Sequence, residues 1–132
     1  MNHFNLEIVT PLRNIQIEDV SYVRCPGLDG SFGIMPKHQE GIFALSVGEI
    51  KVIINGKKDY YSIGGGFAEV IENKMKVLVE SLESSSEIDP NRAKNAIERA
   101  KKRKSEKKSN HDGNRIETSL LRALNRLRVS KR

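Results

Sequence analysis

Residues 1–80 read as short strands, several of which alternate apolar and polar side chains with the period of two that buries one face. Phe4-Asn5-Leu6-Glu7-Ile8 is the first such run, and Thr10-Pro11 ends it. Ile15 and Ile17 alternate again, and Val20–Arg24 makes a third candidate strand. Gly27-Leu28-Asp29-Gly30 is a turn cluster, after which Gly33-Ile34-Met35-Pro36 reads as a short strand closed by proline. Glu49–Ile54, rich in Ile and Val, runs into Asn55-Gly56 and then Lys57–Ile63. Asn-Gly between two strand-like runs predicts a hairpin, because both residues tolerate positive φ. A second hairpin is predicted from Phe67–Ile71 through a turn near Glu72-Asn73-Lys74 to Met75–Val79. Strands recurring at about 8–12 residues predict an antiparallel β-sandwich or barrel.

The period changes at Ser84-Ser85-Ser86. Asp89-Pro90 is a helix start: the Asp side chain can accept from free backbone amides, and Pro fits the first turn. Ala93, Ala96, Ile97 and Ala100 then share one narrow helical face of small residues. Lys101–Lys108 is almost wholly charged, Ser109–Asn114 is predicted as a turn containing Gly113, and a second helix carries Ile116, Leu120, Ala123, Leu124 and Leu127 on one stripe. The fold class predicted is α+β: an N-terminal antiparallel β-sandwich over residues 1–86, then a C-terminal two-helix (αα) hairpin over 87–132. Two short helices bury too little surface to be firmly stable alone, so the second module must lean on something and is a candidate moving part.

Composition sharpens this division. Of the 132 residues 37% are hydrophobic, 5% aromatic and 30% charged, with no Trp, so large buried anchors are few. The formal charge of +6 is unevenly spread: residues 1–88 carry a net −4 and residues 89–132 a net +10. The single cysteine, Cys25, placed at a strand end, cannot form an intramolecular disulfide and fits a reducing compartment. No apolar run reaches the about 18 residues that span a bilayer, and Met1–Asn5 shows no basic-then-apolar leader.

Four segments resemble one family. Gly30-Ser31-Phe32-Gly33-Ile34-Met35-Pro36-Lys37-His38 and Gly64-Gly65-Gly66-Phe67-Ala68-Glu69-Val70 are similar to two motifs of the epsilon subunits of F-type ATP synthases. Ile88-Asp89-Pro90-Asn91-Arg92-Ala93 resembles the I/L-D-x-x-R-A start of that family's first C-terminal helix, and Leu121–Val129 its last helix. Where the family usually has Gly-His-(Ala/Thr)-Pro, this chain has Lys37-His38-Gln39-Glu40. Where Ser31 stands, an acidic residue is frequent.

The resemblance implies a non-catalytic central-stalk subunit that couples rotation to proton-driven ATP synthesis and inhibits hydrolysis through mobile C-terminal helices. Its partners would be the gamma subunit, the rotor c-ring and the alpha and beta subunits of the catalytic head. Its place would be the cytoplasmic side of the inner membrane, held there indirectly through the complex. Ser31, Phe32 and His38 would meet other subunits. No cofactor is required, but a regulatory ATP is implied at Glu83, Asp89, Arg92, Ala93, Arg122 and Arg126, where guanidinium groups suit phosphate oxygens by charge and fork geometry.

Each residue also has a plainer reading. Asp89 is a good N-cap, and Arg92 can simply be solvated. Arg122 and Arg126, four apart on one helical face, can be solvated as well. His38 has no ligand spacing with His3 or His111, so no metal site is predicted. Gly64-Gly65-Gly66 lacks the Gly-Lys-Ser/Thr of a P-loop and precedes a strand, which predicts a sharp bend or bulge. No nucleophile and base stand in a hydrolase pattern. The run Lys101-Lys102-Arg103-Lys104 with Lys107-Lys108 could attract nucleic acid, but residues 89–132 hold no aromatic residue for base stacking, so no nucleic-acid partner is predicted.

Overall fold

The computed structural model describes the backbone of residues 3–106 and 110–132 and the side chains of 3–105 and 115–132. The chain divides into two compact units, Met1–Ser84 and Ser85–Arg132.

The first unit is built from β1 (Phe4–Val9), β2 (Asn14–Gly27), β3 (Gly30–Ile34), β4 (Gly41–Leu45), β5 (Gly48–Ile54), β6 (Lys57–Ile63), β7 (Gly66–Ile71), β8 (Lys74–Val79) and β9 (Leu82–Ser84). The strand order is β1-β8-β7-β4-β2-β5-β6-β9, with β3 and β1 also on β2. All pairings are antiparallel except β1 with β8, which is parallel. The two runs read separately at Ile15–Ile17 and Val20–Arg24 are one long strand. Its first half pairs with β1, Ile17 opposite Leu6, and its second half with β5, Val23 opposite Val52. The halves meet at Asp19, whose φ of 59° and flanking register shifts mark a bulge. A bulge bends a strand sharply, and here it lets β2 serve both layers of the sandwich.

One core lies between the layers. Leu6, Ile8, Val20, Val23, Ile50, Val52, Ile63, Met75 and Val77 are all essentially fully buried within it. Cys25, placed at a strand end by the sequence, lies inside β2 and is wholly buried, and burial pushes its thiol up to about 12. The Asn55-Gly56 hairpin forms as predicted, with Ile54 opposite Lys57 and positive φ at both turn residues. The turn at Glu72-Asn73 also forms, joining β7 to β8. β4 and β9 carry no alternation that would have announced them. Gly41-Ile42-Phe43-Ala44-Leu45 is a continuous apolar run, which periodicity cannot assign.

The glycine run between β6 and β7 is the predicted bend. Gly64 N–H donates to Ser81 O at 3.3 Å, and Glu80 N–H donates to Gly65 O at 3.2 Å. Gly66 takes φ 153°, and a Cβ there would collide with the backbone carbonyl of Leu78. The segment therefore needs glycine for close backbone approach, a structural role with no phosphate chemistry in it.

The second unit holds α1 (Pro90–Glu106) and α2 (Asn110–Ser130), packed on one another. Asp89 caps α1: its Oδ1 accepts from the Asn91 amide at 2.9 Å and the Arg92 amide at 3.3 Å. Ile88, Ala93, Ile97 and Ala100 are buried. The predicted turn over Ser109–Asn114 is corrected, since α2 is helical from Asn110; Ser109 lies outside the described residues. One glycine costs a helix about 1 kcal/mol relative to alanine, too little to break it alone. The α2 stripe is also shifted. Ile116 and Ala123 are buried and Leu120 and Leu127 half-buried, but Leu124 is 44% exposed, while Asn125 and Val129 are buried instead. A Lys104–Glu117 ion pair at 3.5 Å joins the helices, both side chains being about half exposed.

Candidate functional site

Two groups of residues were marked out by sequence. In the sandwich, Ser31 and Phe32 lie on β3 and His38 in the β3–β4 connection. The structure joins Phe32 and His38 through a residue that the sequence reading passed over. Phe43 on β4 has its ring centroid 5.0 Å from Phe32 and 5.9 Å from His38, the latter edge-on at 75°. Ser31 is exposed, while Phe32 and His38 are half-buried. The connection is tight: the His38 amide donates to Met35 O at 3.1 Å, and Lys37 adopts φ 64°. That left-handed conformation costs an L-residue roughly 1–2 kcal/mol. It supplies a physical reason for glycine where this chain has Lys37. Beside the connection, a cleft of about 440 Å³ is lined by Lys37, His38, Gln39, Glu40, Glu72 and Asn73.

On the outward face of the β1–β8–β7–β4 layer, cross-strand register stacks unlike side chains. Glu7 stands opposite Lys76, and Lys76 opposite Glu69. Glu7 lies 3.8 Å from Lys74 and 3.7 Å from Lys76. Its carboxyl is held below the ordinary carboxylate range, first by a hydrogen bond from Asn14, against opposing desolvation, with help from Gln16 and the two lysines. Leu78 and Phe67 pair on the same face and are 46% and 56% exposed, as is Ile42 at 71%. This is a mixed charged and apolar surface with the anatomy of a contact face.

The nucleotide residues fall in both units. Glu83 is half-buried on β9, opposite Ser62. Asp89, Arg92 and Ala93 form the start of α1; Asp89 and Arg92 are exposed, Ala93 is buried, and Asp89 Oδ1 is engaged in the cap. Arg122 and Arg126 follow one another by one turn on α2, the first exposed and the second half-buried. Both keep interactions within the protein, as does Glu83. The antiparallel helices bring the start of α1 beside the end of α2. From the Lys104–Glu117 pair, Arg92 is about 18 Å back along α1 and Arg126 about 14 Å on along α2, at 1.5 Å per residue.

The arginine pattern is wider than the sequence reading noticed. Arg92, Arg99 and Arg103 in α1 have the same spacing as Arg115, Arg122 and Arg126 in α2. Arg92, Arg99, Arg115 and Arg122 each immediately precede a buried residue: Ala93, Ala100, Ile116 and Ala123. Both stripes therefore flank the helix contact on the same side, and Arg99, Arg103 and Arg115 line one cleft. Among the described residues, no group of three His, Cys, Asp or Glu side chains could hold a metal ion, and no helix is long and apolar enough to cross a membrane. The side chain of His111, and Lys107 and Lys108 of the basic run, lie outside what is described.

Comparison with known proteins matches both units. Residues 3–85 match the beta-sandwich domain of the ATP synthase delta/epsilon chain, and residues 86–131 its long alpha-helix domain. An ATP synthase epsilon chain of Nitratidesulfovibrio vulgaris is 43% identical over 125 residues, covering 95% of this chain and 93% of that one. One from Desulforamulus reducens is 38% identical over 126 residues, covering 96% of each. Among solved structures, a chain in the cryo-EM structure of Euglena gracilis mitochondrial ATP synthase, OSCP/F1/c-ring in rotational state 1, matches with a TM-score of 0.81 and 25% identity, over 92% of this chain and 77% of that one. With a two-layer strand body followed by two helices, and with both parts matched in order over nearly its whole length, the chain belongs to the ATP synthase delta/epsilon family, among its epsilon chains.

Proposed function

We propose that this chain is a non-catalytic subunit of the central stalk of an F-type ATP synthase, coupling rotation to ATP synthesis and restraining ATP hydrolysis. The single observation that carries this is the ordered match of both units to the sandwich and helical domains of that family. The sandwich, residues 1–86, binds the gamma subunit and rests on the rotor c-ring, with Ser31, Phe32 and His38 in those contacts. The aromatic string Phe32–Phe43–His38 supports this reading, because it fixes the β3–β4 connection from within. Membrane association is indirect, on the cytoplasmic side of the inner membrane through the complex.

The hairpin, residues 87–132, alternates between a folded state and an extended one that reaches the alpha and beta subunits of the head. Its energetics favour such a switch. The buried face of α1 is alanine-rich, so little apolar area holds the helices, and a charge of +10 over residues 89–132 repels itself. ATP, held by Glu83, Asp89, Arg92, Ala93, Arg122 and Arg126, favours the folded state only as far as it binds that state better. Arg92 supplies the positive charge at the start of α1, whose Asn91 and Arg92 amides already donate to the Asp89 carboxylate. The test is deletion of residues 87–132 in the assembled complex. The complex should still form and its ATPase activity should rise. Unchanged hydrolysis would remove the inhibitory role, and failure to co-purify with gamma would remove the stalk assignment.

A further inference from the structure

We infer that His38 carries its ring hydrogen on Nδ1 and offers Nε2, as a hydrogen-bond acceptor, to an N–H or O–H donor on a partner subunit, with Phe43 as the residue that positions it. This rests on the contact role proposed for His38 above and adds which atom makes the contact and which chemistry it takes. Nδ1 lies 2.7 Å from Gln39 O. A carbonyl oxygen can only accept, so the hydrogen between them belongs to Nδ1. The bond that one ring nitrogen makes sets the state of the other, and in the neutral ring Nε2 is left with a lone pair and no hydrogen. Among the described residues Nε2 has no partner, and no side-chain nitrogen without a partner is buried, so it is open to a group from outside.

The ring is held from several sides. The His38 amide donates to Met35 O at 3.1 Å, Nδ1 donates to Gln39 O, and Phe43 meets the ring edge-on at 75° with 5.9 Å between centroids. Phe43 is itself held by Phe32 at 5.0 Å, and its ring passes close to Gly41, where a Cβ would come within 3.1 Å of its Cζ. A side chain so restrained has little rotamer freedom left to lose on binding, which makes a single hydrogen bond to it discriminating. A partner carbonyl or carboxylate would set lone pair against lone pair and be rejected. An amide, hydroxyl, ammonium or guanidinium group is accepted.

The first experiment needs only the full chain. A long-range 1H–15N correlation spectrum of histidine-labelled protein, taken at pH 9 above the range in which imidazole ordinarily titrates, reads which nitrogen carries hydrogen. His38→Gln identifies the His38 signals. Hydrogen on Nδ1 is expected, the reverse of the tautomer that a free histidine side chain favours. Phe43→Leu should shift the ring towards the free-chain mixture, and Phe43→Tyr, which keeps the ring edge, should not. Hydrogen on Nε2 overturns the inference, and an unmoved tautomer in Phe43→Leu removes the positioning role. Circular dichroism checks each variant, and Phe43→Met repeats the test should Phe43→Leu lose the fold. The second experiment titrates the full chain against purified gamma subunit. His38→Asn keeps a donor near Nδ1 but has no atom at the Nε2 position, and should weaken association about tenfold. His38→Gln, whose amide oxygen reaches that position, should weaken it by less than about threefold. Equal weakening by the two variants, or none by His38→Asn, overturns the contact through Nε2. Failure of the unaltered chain to bind gamma removes the stalk assignment and the partner with it, whereas the tautomer is decided by the spectrum alone.

Discussion

Replacing Asp89 by alanine removes both hydrogen bonds that close the first turn of α1, at 2.9 Å from the Asn91 amide and 3.3 Å from the Arg92 amide. Loss of such a cap costs about 1 kcal/mol. That is about a fivefold change in the balance between a formed and an open helix start. In the sandwich, with its continuous buried core, a loss of this size would be absorbed. The start of α1 has less to oppose it: its nearest buried side chains are Ile88, Ala93 and Ile97, and the alanine contributes little area. Amide hydrogen exchange over Ala93–Ala100 in the full chain reads the effect directly, and should speed up about fivefold in Asp89→Ala. Asp89→Asn keeps an acceptor oxygen in the same place and removes only the charge, so its protection should stay near that of the unaltered chain. If the two variants lose protection equally, the charge rather than the cap holds the helix start, and the reasoning fails. Under the proposed function, the same fivefold shift towards an open start raises the share of extended hairpin. Asp89→Ala complexes should then hydrolyse ATP more slowly than those with Asp89→Asn.

Two further predictions concern the sandwich. Cys25 is wholly buried and its thiol is pushed up from 9.0 to about 12, so a thiol reagent at pH 8 should label the native chain far more slowly than the chain unfolded in guanidinium. Because the folded value is the higher one, the stabilisation it carries is full below pH 9 and lost as pH rises towards 12. Denaturant unfolding at pH 8 and pH 10 should show a slope that Cys25→Ala lacks, and equal slopes would place the thiol in solvent. Gly66→Ala should cost about 3 kcal/mol or more in urea unfolding, because its Cβ meets the Leu78 carbonyl. Gly56→Ala, with open space around it at φ 78°, should cost only about 1 kcal/mol, and equal losses would refute the contact argument.

What could be read from the sequence followed the physics of each signal. Turn residues between strand-like runs located the hairpins β5–β6 and β7–β8, and period-two alternation located β1. It split β2 in two because the alternation shifts phase where Asp19 bulges, and a phase shift looks like a strand end to any reading that lacks the partner strands. It missed β4, whose Ile42 faces outward beside inward-leaning apolar neighbours, so that an exposed apolar side chain erased the contrast on which the reading depends. The same cause hid the cleft arginines. A lone arginine beside an alanine reads as solvated, and only the antiparallel packing of α1 on α2 turns two stripes of like spacing into one basic face. Residues that pack against their own chain leave a periodic record, while residues kept for something outside it are recorded as breaks in the period. In this chain the break at Asp19 serves the fold, as the bulge that lets β2 join both layers, whereas Lys37, Ile42 and the two arginine stripes are where mutagenesis should alter partners and ligands more than the fold.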